Sequence, residues 1–209
     1  MLKTLMRSNA CPSVRRACLL VCPLVVSCGV EPAPPPREPI PLPMVVSDYF
    51  SPDGFWGDGE KRGAVDLQRE CADRVEGAQG DCYHIIYTPG AKRFAGINWQ
   101  YPHNNWGFAS GRKVEAGATR ITLWARGRKG GERVGFGAGQ PDAANGFGDS
   151  FSLSQVSVEL TREWKQYELP FLGETYAGMA DVIGAFVLSL PAGDTDEPVA
   201  IYLDDVKWQ

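Results

Sequence analysis

Histidine is scarce in this 209-residue chain, and helical periodicity and clustered basic residues are lacking. The two histidines, His84 and His103, stand in no recognisable nucleophile context, and no Gly-x-Ser-x-Gly elbow occurs. Cysteine spacing fits no zinc pattern. Loop acids such as Asp142, Asp149, Asp194, Asp196 and Glu197 form no compact signature on one strand, as a pair of hydrolytic carboxylates across a cleft would require. A net charge of −4 without a Lys/Arg cluster argues against nucleic acid as a partner. Gly135-Phe-Gly-Ala-Gly139 is glycine-rich, but no helix follows it, so no phosphate cradle is implied. No repeat of fixed period is visible. None of these patterns gives the chain a recognisable catalytic signature.

The N-terminal region carries its own signal. The basic residues Lys3, Arg7, Arg15 and Arg16 precede an apolar run from Ala17 to Ser27, too short to span a bilayer as a permanent helix. Val25-Val26-Ser27-Cys28 resembles a bacterial lipobox, which implies cleavage after residue 27 and lipidation of Cys28. An ordinary secretory signal, with Cys28 only a member of its apolar run, is the competing reading. Val30–Pro43 is half proline, so it should be an extended spacer of ~40 Å. The expected organisation is therefore signal 1–27, lipidated linker 28–43 and one domain 44–209. Gly29 is not the aspartate that resembles an inner-membrane retention signal, which points to the outer membrane of the cell envelope.

Sorting the cysteines by region removes most of them. Cys11, Cys18 and Cys22 leave with the signal and Cys28 takes lipid, so Cys71 and Cys82 form an even pair in an oxidising compartment. A Cys71–Cys82 disulfide is predicted, worth ~2–3 kcal/mol by loop entropy. Loss of the four signal cations brings the mature charge to about −8. A membrane is thus expected as a partner through the lipid, not through charge.

The domain itself reads as strands. Short apolar alternations bounded by Gly and Pro occur at Val45–Phe50, Tyr83–Thr88, Phe94–Tyr101, Ala118–Arg126, Arg133–Ala138, Ser150–Leu160, Trp164–Phe171, Val182–Leu190 and Val199–Trp208. About nine strands at this spacing predict an all-β sandwich or barrel. Glu60–Gln79 is the one plausible helical or irregular insertion, and Gly173–Met179 a short turn.

Read in phase, Ile121, Leu123 and Ala125 face the core, while Thr122, Trp124 and Arg126 face away. Trp124 is then either a binding platform or a ring covered by a loop or the insertion. Asn98 and Gln100 share one face of their strand, opposite Ile97, Trp99 and Tyr101, which look more like core. Asn104, Asn105 and Trp106 follow in a loop, where binding residues concentrate. An aromatic ring for the C–H face of a pyranose, with amides, acids and guanidinium for its hydroxyls, suits a carbohydrate. Trp124, Thr122, Arg126, Asn98, Gln100, Trp106 and Asp149 are the candidate ligand-binding set.

Residues Ala95–Gly107, Gly117–Gly139, Gly148–Ser154, Leu160–Phe171 and Ile201–Trp208, with Gly54–Gly59, resemble a bacterial galactose-binding-like jelly roll of the carbohydrate-binding-module type. That resemblance implies a jelly-roll β-sandwich, a non-catalytic role, an envelope glycan as partner and a monomer. It also implies a possible structural calcium, held by Asp204 and, less securely, Asp48, with backbone carbonyls and water completing the shell. Two alternatives stay open: an assembly module, as in the similar domain of the complex I intermediate-associated protein, and a polysaccharide hydrolase or lyase on the same fold.

Overall fold

The computed structural model describes residues 38–140, 145–171, 179–194 and 196–209. Cys28, Asp142, most of the expected 173–179 turn and residues 30–37 of the proline spacer lie outside them. In chain order the strands are β1 (Met44–Val45), β2 (Ser51–Gly57), β3 (Val65–Gln68), β4 (Tyr83–Tyr87), β5 (Phe94–Gln100), β6 (Arg112–Val114), β7 (Arg120–Gly127), β8 (Arg133–Ala138), β9 (Leu153–Glu159), β10 (Lys165–Pro170), β11 (Met179–Val182), β12 (Gly184–Pro191) and β13 (Val199–Trp208). The excess over nine comes from β2 and from short pieces, β3, β6 and β11, that carry too few alternations to stand out. The expected strand at Val45–Phe50 is instead two residues of β1 and a 3-10 turn, Val46–Asp48.

Two antiparallel sheets face each other. One runs β10-β7-β13-β4-β3, with β1 also on β13; the other runs β2-β5-β12-β8-β9. Period-two alternation sends Ile121, Leu123, Ile201, Leu203 and Ile85 inward from the first, and Ile97, Trp99, Phe136, Phe186 and Leu188 inward from the second. Aromatic packing joins the sheets: the Trp99 indole N–H donates to the Tyr83 hydroxyl at 3.1 Å, and the two rings meet edge-on at 5.3 Å. At one end Phe151, Phe171 and Trp208 form a second aromatic knot, with the Trp208 indole N–H donating to the Ala185 carbonyl at 2.9 Å.

The packed body begins before Met44. Ile40 is 1% exposed within the core, its N–H donates to the Lys113 carbonyl and its carbonyl accepts from the Glu115 N–H. Ile40, within the expected linker, thus packs with the domain, and burial of its β-branched side chain outweighs the preference of the flanking prolines for solvent.

Cys71 and Cys82 are disulfide-bonded. The expected insertion Glu60–Gln79 starts at the end of a 3-10 turn (Asp58–Glu60), contains β3 and is otherwise irregular, and the disulfide closes its last part. It lies against the first sheet: Arg74 donates twice to Asp204 (2.7 and 3.3 Å), the Val75 N–H joins at 3.2 Å, and Asp73 pairs with Arg126 at 3.5 Å.

Candidate functional site

The outward face of the second sheet is built on glycine. Ala95, Ile97 and Trp99 point into the core, so Gly96, Asn98 and Gln100 alternate to the other side, about 7 Å apart along β5. Trp56 on β2 is the register partner of Gly96. A Cβ on Gly96 would lie 1.9–2.3 Å from three atoms of the Trp56 ring system, so only glycine lets the indole lie down on the strand. Trp56 is half-buried there, and Trp106 meets it edge-on at 6.4 Å and 88°.

Trp106 owes its position to Asn105, which is 3% exposed and fully employed. Its amide nitrogen donates to the Tyr101 and Ala109 carbonyls (3.0 and 2.8 Å), and its oxygen accepts from the Phe108 and Ala109 N–H groups (2.9 and 3.1 Å). Asn145 then donates to the Trp106 carbonyl at 2.7 Å, tying this loop to the one after β8. Phe108 and Phe147 stand exposed on these two loops.

Beside Trp56 lies a cluster of three amides. Asn98 and Gln100 are 3% and 1% exposed, and both donate to the Gln140 side-chain oxygen, at 3.3 and 2.8 Å. Glycine again makes the room: a Cβ on Gly184 would strike Asn98, and one on Gly54 would strike Gln100. The amide oxygens of Asn98 and Gln100 have no hydrogen-bond partner among the described residues. Unpaired buried carbonyls are tolerated better than unpaired N–H groups, which fits this orientation of the three amides.

Asp149 fixes the same cluster from behind. Its buried carboxylate accepts from the backbone N–H groups of Gln140, Ile183 and Gly184, while its own N–H donates to the Gln140 carbonyl at 2.9 Å. Burial pushes this carboxyl up to about 6 against those three donors, and the like charge of Asp181 adds to the rise. Both oxygens being engaged by backbone, Asp149 is a structural clasp here and not a free acceptor for a ligand.

No protein-family model and no curated protein sequence matches the chain. Solved structures do match by shape. The family 30 carbohydrate-binding module of a cellulosomal cellulase of Clostridium thermocellum superposes with a TM-score of 0.50 at 13% identity, covering 77% of this chain and 94% of that one. Another family 30 carbohydrate-binding module gives 0.51 at 13% identity, covering 80% and 98%. The chain has a carbohydrate-binding-module fold.

On this scaffold the expected binding set divides. Asn98, Gln100 and Trp106 come together on the second sheet, with Asp149 behind them. Thr122, Trp124 and Arg126 lie on β7, in the other sheet, so the expected set does not converge on one face. Thr122 is 3% exposed and accepts from the Gln209 amide. Arg126 stacks over Tyr202 at 3.9 Å and lies 5.2 Å from the Trp164 ring centre. Trp124 is half-buried, and its cross-strand partner is Asp204, which lies wholly buried under the disulfide-closed segment. Trp124 is thus as half-buried as Trp56, but it stands on the other sheet from the amide cluster.

The calcium expectation does not fit the donors. Both Asp204 oxygens are engaged by the Arg74 guanidinium and by the Val75 and Asp205 N–H groups, so a cation already neutralises the carboxylate. Asp48 is exposed on the 3-10 turn, and no group of three potential metal-binding side chains occurs among the described residues.

Sequence reasoning missed Trp56 and Gln140. Both sit in glycine-rich stretches, Gly54-Phe-Trp-Gly57 and Gly137-Ala-Gly-Gln140, which read as turns because their alternation is hidden where glycine takes the outward position.

Proposed function

We propose that this protein is a non-catalytic carbohydrate-binding module whose ligand lies across the outward face of the β2-β5-β12-β8-β9 sheet. The observation that carries the reading is the Trp56 indole laid on Gly96 beside a cluster of amides. An aromatic ring packed on a sheet suits the C–H face of a pyranose, and amides suit its hydroxyls. The shared fold supports the reading.

The test is isothermal titration against cellohexaose, a mixed-linkage β-1,3-1,4-glucan oligosaccharide, β-1,4-galactotriose and xylohexaose. Binding to at least one, lost at least tenfold in Trp56→Ala and kept in Trp124→Ala, is expected. Wild-type affinity weaker than about 1 mM for all four would remove the proposal.

The reading extends to the N-terminal region on sequence grounds. Residues 1–27 are cleaved, Cys28 is acylated, and the proline spacer holds a monomeric module off the outer membrane. Metabolic labelling with a palmitate analogue, absent in Cys28→Ala, tests this.

A further inference from the structure

Gln140 is held at its side-chain oxygen and at both backbone polar groups, an unusual degree of restraint for a residue at a strand end. Its side-chain oxygen accepts from Asn98 and Gln100 together, and its backbone N–H and carbonyl are both clasped by Asp149. Asn98 and Gln100 are themselves sunk below the surface, whereas Gln140 is half-buried and reaches it. With the oxygen turned down onto two donors, the amide NH2 is the end left to face outward. It sits over outward positions of β5 adjacent to the one that carries Trp56, so ring and donor share one face.

We propose that Gln140 is the residue that selects the ligand, a pre-oriented hydrogen-bond donor to a glycan hydroxyl or ring oxygen, with Asn98, Gln100 and Asp149 acting through it as positioning residues. This rests on the glycan-binding reading above. Three anchors spare Gln140 the cost of ordering a mobile side chain on binding, so the bond it makes is worth more than one from a free surface glutamine. The carboxylate clasp also makes the donor sensitive to acid, since protonating Asp149 turns one of its acceptor sites into a donor facing backbone N–H groups.

The deciding variant is Gln140→Glu. A carboxylate there still accepts from Asn98 and Gln100, but presents an acceptor outward in place of the donor. Titration with the same four oligosaccharides should show Gln140→Glu and Gln140→Ala weakened alike, by about five- to tenfold, with Gln140→Glu retaining the wild-type melting temperature. Asp149→Asn should weaken binding too, and the double variant Asp149→Asn/Gln140→Ala should bind no worse than Gln140→Ala alone. Wild-type affinity should fall as pH drops through about 6, and the affinity of Gln140→Ala should not. Unchanged affinity in both Gln140 variants, with Trp56→Ala still defective, would overturn the assignment and leave the binding face intact. Additive losses in the double variant would overturn the coupling to Asp149. Failure of the wild type to bind any of the four would instead remove the binding reading, and this assignment with it.

Discussion

Gly96→Ala is the sharpest probe of the platform, because it changes the seat of the Trp56 ring without removing the ring. The new methyl would lie 1.9 Å from Cε2, 2.1 Å from Cζ2 and 2.3 Å from Cδ2 of Trp56. Carbon atoms rest about 3.5–4.0 Å apart, so the indole must lift by about 1.5–2 Å or swing away. The strand backbone has no reason to object: Gly96 is not among the positive-φ residues, and alanine in a strand gains about 0.5–1 kcal/mol over glycine through the unfolded state. That gain offsets part of the packing lost as Trp56 parts from Trp106, so thermal stability should change little. Binding should change more. A ring stack is worth about 0.5–1.5 kcal/mol beyond buried area, or a factor of about 2–12 in affinity. Titration calorimetry with whichever of the four oligosaccharides the wild type binds and a crystal structure of the variant measure the two halves. A displaced ring with undiminished affinity would refute the argument.

Four further outcomes are expected. Cys71→Ser/Cys82→Ser should lose about 3 kcal/mol in denaturant unfolding yet bind glycan as before, since the disulfide loop covers the opposite sheet. Asp58 is raised by burial but lowered more by the Tyr87 hydroxyl and the Lys92 and Gly90 N–H groups, so its folded value lies below 3.8. Its contribution should be present above that pH and vanish as pH falls through the folded value, making Asp58→Asn less stable at pH 7 but similar to wild type in strong acid. Asp149 works the other way: its contribution is complete below 3.8 and declines as pH rises through about 6, by at most about 3 kcal/mol, and Asp149→Asn should lack that slope. Arg74→Ala leaves the buried Asp204 carboxylate with only the Val75 and Asp205 N–H donors and should cost about 1–3 kcal/mol in urea unfolding.

Periodicity made the sandwich legible. Arg133–Ala138 and Val199–Trp208 match their strands because alternating apolar residues state the buried face directly, and the Ile121, Leu123, Ala125 row is inward as read. The cysteine pair was legible too, since compartment and count left one pairing. What stayed hidden was which strands share a sheet. In a jelly roll, strands far apart in sequence become neighbours, and Asn98 pairs with Gly54 and Val187, not with β7. The candidate set divided between two sheets for that reason. Trp56 escaped because the residue that defines its seat, Gly96, contributes no side chain to read, and Gln140 because its meaning lies in three partners 40, 42 and 9 positions away.

The most direct measurement is a 15N–1H correlation titration of the domain with whichever of the four oligosaccharides binds tightest in the calorimetry. The Trp56 and Trp106 indole signals and the Asn98, Gln100 and Gln140 side-chain amides should move together with saturation, while Trp124 and Trp164 stay still. Shifts confined to Trp124, Trp164 and their strands, with the glycine-floored face silent, would contradict the account.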